Sequence, residues 1–127
     1  MEVRTKRVYE PADPDDGTRV LVDRLWPRGV SKEAARLDLW AKDAAPSPEL
    51  RTAWHADPQG HDPAHFAAFA EEYRAELREE PARAAVQRLA QLARDSSRLT
   101  LLYGARNETS NHALVLREAV LQQLADG

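Results

Sequence analysis

The chain has 127 residues, 43% apolar and 31% charged, with no cysteine and a net charge of −3 from 21 acidic and 18 basic side chains. That is one domain's worth of material with room for a core of its own. The missing cysteines exclude disulfides, thiolate catalysis, iron–sulfur clusters and Cys-type zinc sites, no apolar run approaches a membrane span, and the acidic balance argues against phosphate-led coating of nucleic acid.

The N-terminal MEVRTKRVYE lacks the apolar stretch of a signal peptide, so a soluble, cytoplasmic protein is expected. The first predicted strand is Val3 to Tyr9. A turn-rich connection, Pro11-Ala12-Asp13-Pro14-Asp15-Asp16-Gly17, leads to a second from Thr18 to Leu25. Asp13, Asp15 and Asp16 have the composition of a calcium loop with the wrong offsets, and read as a turn.

Ser31 caps a short predicted helix through Ala35, and Ser47-Pro48-Glu49 opens another with an N-cap, a first-position proline and an acid in the first turn. Asp62-Pro63 repeats that signal for a helix running to about Glu80, with Phe66, Phe69, Tyr73 and Leu77 facing inward. Pro81 ends it and opens the next, whose inner face is Val86, Leu89, Leu92 and Ala93. The third strand is Arg98 to Tyr103, and a last helix is expected from near Thr109 or Ser110, with Ala113, Leu116, Val120 and Leu124 inward.

Continuous apolar strands predict a sheet covered on both faces. The expected fold is therefore α/β: one domain over residues 1–127, a small, largely parallel sheet of about three to four strands, and helices on both faces. The connection between the first two strands is too short for a parallel crossover. They are therefore expected either not to be direct neighbours or to be antiparallel.

If the sheet is parallel, ligands bind beyond the carboxyl ends of its strands. The second strand runs into Asp23-Arg24-Leu25-Trp26-Pro27-Arg28-Gly29, and the third into Gly104-Ala105-Arg106, then Asn111-His112 at a helix start. Arg24, Arg28, Arg106 and Asn111 are the expected ligand-binding residues for a small anion. His112 is the candidate acid–base, since its unperturbed pKa alone lies near neutrality, and Tyr103 the candidate hydrogen-bond donor. The structural alternative has Trp26 as a core anchor, Arg24 paired with Asp23, Asp38 or Asp43, Arg106 consumed by a neighbouring acid, and His112 capping its helix or bonded to a carbonyl.

His55, His61 and His65 fall within one short stretch. His61 and His65 are four apart, a spacing that shares a metal on a helix, but Pro63 places the helix start between them. No metal or other cofactor is assigned. There is no GxGxxG, P-loop or GxSxG, and Glu71-Glu72 and Glu79-Glu80 read as a solvated helix face.

Several segments carry a resemblance across nearly the whole chain: Lys6-Arg7-Val8-Tyr9 with Asp16-Gly17, Arg19 through Lys32 around Arg24-Leu25-Trp26-Pro27-Arg28-Gly29, Ala45-Pro46-Ser47, His61-Asp62-Pro63, Thr100 to Tyr103, Ala105-Arg106-Asn107 and Asn111-His112-Ala113. In these the chain resembles the YeaO-like family (domain of unknown function 488). The sequence departs from that pattern at His65-Phe66 and in a short insertion around Ala56 to Gly60. The resemblance implies a small α/β fold with a parallel sheet and supplies no activity. The functional expectation is thus a small-anion site, for a nucleotide, phosphate or carboxylate, with or without catalysis. Against it stand a protein-interaction module using Arg24, Trp26 and Arg28 and, behind both, specific nucleic-acid binding. No sequence feature encodes the oligomeric state.

Overall fold

Strand β1 (Glu2–Arg7) and strand β2 (Thr18–Leu21) are joined through a 3-10 turn at Pro14–Asp16. Helix α1 (Lys32–Ala35), the two-residue strand β3 (Leu39–Trp40) and a 3-10 turn at Lys42–Ala44 follow, then helices α2 (Pro48–Ala56), α3 (Pro63–Leu77) and α4 (Ala82–Ser96). Strand β4 (Arg98–Tyr103) and helix α5 (His112–Asp126) complete the chain. The computed structural model describes every residue but His61, so the metal expectation at that position lies outside the described residues.

The four strands form one sheet in the order β1-β4-β2-β3, and every pairing is parallel. The last strand inserts between the first two, which is how a connection too short for a crossover is accommodated. In register, Val3 lies beside Leu99 and Val20 beside Leu101. Val3, Val20, Val22, Leu99, Leu101 and Tyr103 face the layer of α2 to α5 and form the main core with Phe69, Tyr73, Leu89 and Leu116. Leu21 and Leu102 face the other way with Val8, beneath Trp26, Val30, Leu37 and Trp40. Helices thus flank both faces unequally: long helices cover one, and α1 with its flanking loops covers the other.

That second face also buries charge. Asp16 and Arg19 are each 4% exposed. Asp16 accepts from Arg19 Nη1 and, at 3.0 Å, from Lys6 Nζ. Arg19 also donates from Nε and Nη2 to the Ala35 carbonyl at the end of α1. At the outer edge of β1, the Val3 carbonyl accepts from Arg117 Nε of α5 (2.7 Å).

Boundaries differ from expectation for local reasons. β2 stops at Leu21 rather than Leu25; its ladder continues only through the Val22 amide, which donates to Leu102 (3.0 Å). The Asp23 side chain then takes the Gly104 amide (2.9 Å), and Leu25 stands 56% exposed. α3 ends at Leu77, short of Glu80. α5 begins after Asn111, because the Asn107 side chain accepts from the amides of Thr109 and Ser110 (both 2.9 Å) and holds them outside the helix. β3 is too short to leave a sequence pattern.

Candidate functional site

The carboxyl ends of β2 and β4 and the first turn of α5 open onto a cleft of about 350 Å³. One wall is the loop after β2. The Arg24 guanidinium donates from Nε to the Pro46 carbonyl (3.0 Å) and from Nη2 to that of Ala45 (3.2 Å). Both carbonyls belong to a segment that α3 fixes: Tyr73, wholly buried, donates its hydroxyl to the Ala44 carbonyl, and Glu76 accepts from the Ser47 amide (2.8 Å) and hydroxyl (2.5 Å). Trp26 Nε1 donates to Val30 (2.7 Å), the Tyr9 hydroxyl donates to the Arg28 carbonyl (3.0 Å), and Gly29 supplies a φ of 80° that favours glycine. The loop is therefore tied on three sides while the Arg28 side chain remains exposed on the cleft.

The opposite wall is α2, started by Ser47, whose hydroxyl accepts from the Leu50 amide (3.1 Å). Arg51 and His55, one turn apart, both line the cleft with Trp54. Burial lowers the His55 pKa, and the charges of Arg51 and His112 push it the same way, with Asp23 opposing them.

At the floor, His112 Nε2 lies 2.9 Å from the Val22 carbonyl and 3.2 Å from Asp23 Oδ1. Two acceptors on one ring nitrogen assign its proton to Nε2. Asp23 Oδ1 is buried without a well-aligned hydrogen bond; its near neighbour is that imidazole. The Asn111 side chain is buried and committed to the backbone, accepting from the Leu114 amide (3.1 Å) and donating to the Asn107 carbonyl (2.9 Å). Asn111 therefore shapes the cleft as the N-cap of α5.

Of the residues expected from sequence, Arg24, Arg28, Asn111 and His112 come together in this cleft. Arg106 is exposed and does not line it, although its neighbour Ala105 does. Tyr103 points into the main core, 3% exposed, and does not line it either. Burial, with Glu108 nearby, raises the Tyr103 pKa and holds its proton in place. Asp23, Arg51 and His55 belong to the cleft although sequence reasoning gave them no such place. The four-residue spacing of Arg51 and His55 on one helix was the available signal.

His65 does something else: its Nδ1 lies 2.7 Å from Asp57 Oδ2, clasping the end of α2 to the start of α3. Among the described residues, no three His, Cys, Asp or Glu side chains gather in a metal-binding group. The internal ion pairs considered for the arginines do not form: among the described residues, the ion pairs include none of Arg24, Arg28, Arg51 and Arg106. Trp26 is half-buried against Trp40 (ring centroids 5.3 Å apart, edge to face). No helix among the described residues is long and apolar enough to cross a membrane.

Residues 2–127 match the family model described as "Inactive DUF488-N3 subclade". The chain is 48% identical to "Uncharacterized protein YeaO" of Escherichia coli (strain K12), over 93% of this chain and 96% of that one. It is 43% identical to "Uncharacterized protein Rv3073c" of Mycobacterium tuberculosis (strain H37Rv), over 98% of this chain and 94% of that one. No solved structure matches it.

Proposed function

Since the chain belongs to the DUF488 family, in the subclade described as inactive, we propose that it is a cytoplasmic binding protein for a small anionic ligand, held at the carboxyl ends of its strands without turnover. One observation carries this reading. Arg24, Arg28 and Arg51 line one opening, none is spent in an ion pair among the described residues, and the acid lining that opening, Asp23, is occupied by the Gly104 amide and the His112 ring. Guanidinium forks left without a carboxylate are groups that phosphate or carboxylate satisfies.

Binding without catalysis is favoured by the same geometry. His112 engages the Val22 carbonyl and Asp23 through Nε2, and Tyr103 is buried and does not line the opening. The subclade's description points the same way.

Thermal-shift titration with phosphate and with acetate tests the reading, because a ligand of the folded state raises the melting temperature by mass action. Arg28→Ala should weaken the shift with little change in unliganded stability, since that side chain is exposed. Arg106→Ala should leave the shift unchanged. No shift with any anion, or equal loss in both variants, would reject the cleft.

The interaction-module reading keeps one supporting observation: Leu25 and Tyr9, 56% and 46% exposed, stand on the rim of the same opening. Trp26 is a poor anchor for it, being bonded to Val30 and packed on Trp40.

A further inference from the structure

We infer that the cleft prefers a phosphate monoester in its dianionic form to a carboxylate, and that His55 strengthens this preference; the inference rests on the anion-binding reading above. The charge inventory comes first. Arg24, Arg28 and Arg51 bring three positive charges and Asp23 one negative, so before the histidines are counted the lining carries a surplus of two. A monoanion leaves one of these uncompensated in a partly desolvated opening, and a dianion leaves none.

Shape agrees with charge. The guanidiniums come from two separate elements, Arg24 and Arg28 from the loop after β2 and Arg51 from α2. A tetrahedral group with three terminal oxygens offers acceptors to both walls, whereas a flat carboxylate presents two oxygens in one plane.

His55 lines the opening with Arg51 on its own helix, His112 on α5, Asp23 after β2, and Arg24 and Arg28, and it feels the charges of Arg51, His112 and Asp23. Desolvation and the neighbouring positive charges lower its pKa and so disfavour the charged ring. A dianion set among those groups cancels the positive field that disfavours the charged ring, so the imidazole takes up a proton more readily as the ligand enters. A monoanion provides about half that drive. His55 thereby adds positive charge more readily for the more highly charged ligand.

The test is isothermal calorimetry of the full chain with phenyl phosphate and with benzoate, at about pH 7.5 in two buffers of different ionisation enthalpy. Both probes carry the same ring, and phenyl phosphate is a dianion there. The native chain should bind phenyl phosphate at least about tenfold more tightly than benzoate, with net proton uptake. His55→Gln, an exposed position expected to leave the fold intact by circular dichroism, should abolish the uptake and cut the preference by at least about threefold, leaving the part that the arginines supply. Equal affinities in the native chain, or preference and uptake unchanged in His55→Gln, would overturn the inference and leave the anion cleft standing. Failure of both probes to bind would overturn the two readings together.

Discussion

The Asp23 carboxylate, at the end of β2, accepts the amide of Gly104 at the end of β4, 2.9 Å away and 81 residues later in the chain. This bond joins the two strand ends that carry the cleft, and it explains the glycine. A Cβ at position 104 would lie 2.9 Å from Asp23 Oδ2, so any side chain displaces the carboxylate that the amide needs. Gly104→Ala should destabilise the fold by about 1–3 kcal/mol, the range for losing a bond to a charged, largely buried acceptor. Urea unfolding checks the figure, and a change below about 0.5 kcal/mol would show that Asp23 finds another partner.

Phe69 lies between Trp54 and Tyr73, with ring centroids 4.5 Å and 5.9 Å away, and is 5% exposed. It supports α2 from below, and with it the wall bearing Arg51 and His55. Phe69→Ala should cost about 3–5 kcal/mol in chemical denaturation. A loss under about 1 kcal/mol would mean that the ring is peripheral.

Asp16 holds two cations, Lys6 and the buried Arg19, and accepts the Asp13 amide as well (3.0 Å). Burial works to raise its pKa, but these hydrogen bonds outweigh it and the net shift is downward. Asp16→Asn strands the Arg19 charge in the interior and should cost about 3–5 kcal/mol. In the native chain this contribution is present above the carboxylate's unfolded value of 3.8 and is lost as pH falls through the depressed folded value. Unfolding free energies of the two proteins should therefore converge under acid conditions.

The clasp between His65 and Asp57 has the opposite dependence. Its hydrogen bond, aided by the charges of Asp57 and Asp62, raises the His65 pKa above 6.5 and lowers that of Asp57 below 3.8. The histidine's contribution is complete below 6.5 and disappears as pH rises through the raised folded value; the aspartate's disappears as pH falls from 3.8 through its lowered one. His65→Gln should thus lower the melting temperature most between those limits and approach the native value at alkaline pH. A difference independent of pH would mean that the ion pair adds nothing. His55, with its pKa depressed, shifts both proteins alike, so the difference between them isolates the clasp.

The apolar runs and helix caps were legible because each is a local signal. Ser31, Ser47 and Asp62 cap the helices they precede, and β4 has the bounds its apolar run predicts. The largely parallel sheet followed from continuous apolar strands alternating with helices, and with it the end of the sheet where a ligand would sit. What escaped depends on direction in space. Tyr103 and Gly104 are neighbours in sequence, yet one turns into the core and the other lies on the cleft. Arg106 follows the right strand, but nothing in its sequence neighbourhood tells that Ala105 lines the cleft while Arg106 stands outside it. Arg51 and His55 sit in a helix that by pattern alone is only a helix; α3, through Glu76 and Tyr73, fixes the segment where that helix starts.

The bond from Arg117 to the Val3 carbonyl concerns the sheet's freedom to grow. β1 is an outermost strand, and such a strand is a template on which another chain can add. On that side, an outward-facing acceptor is already occupied by a cation from the covering helix, and at the far side β3 offers only two residues. Protection from self-templated aggregation is therefore supplied in part by one long side chain on α5, and concentrated solutions of an Arg117→Ala protein are where its value would be seen.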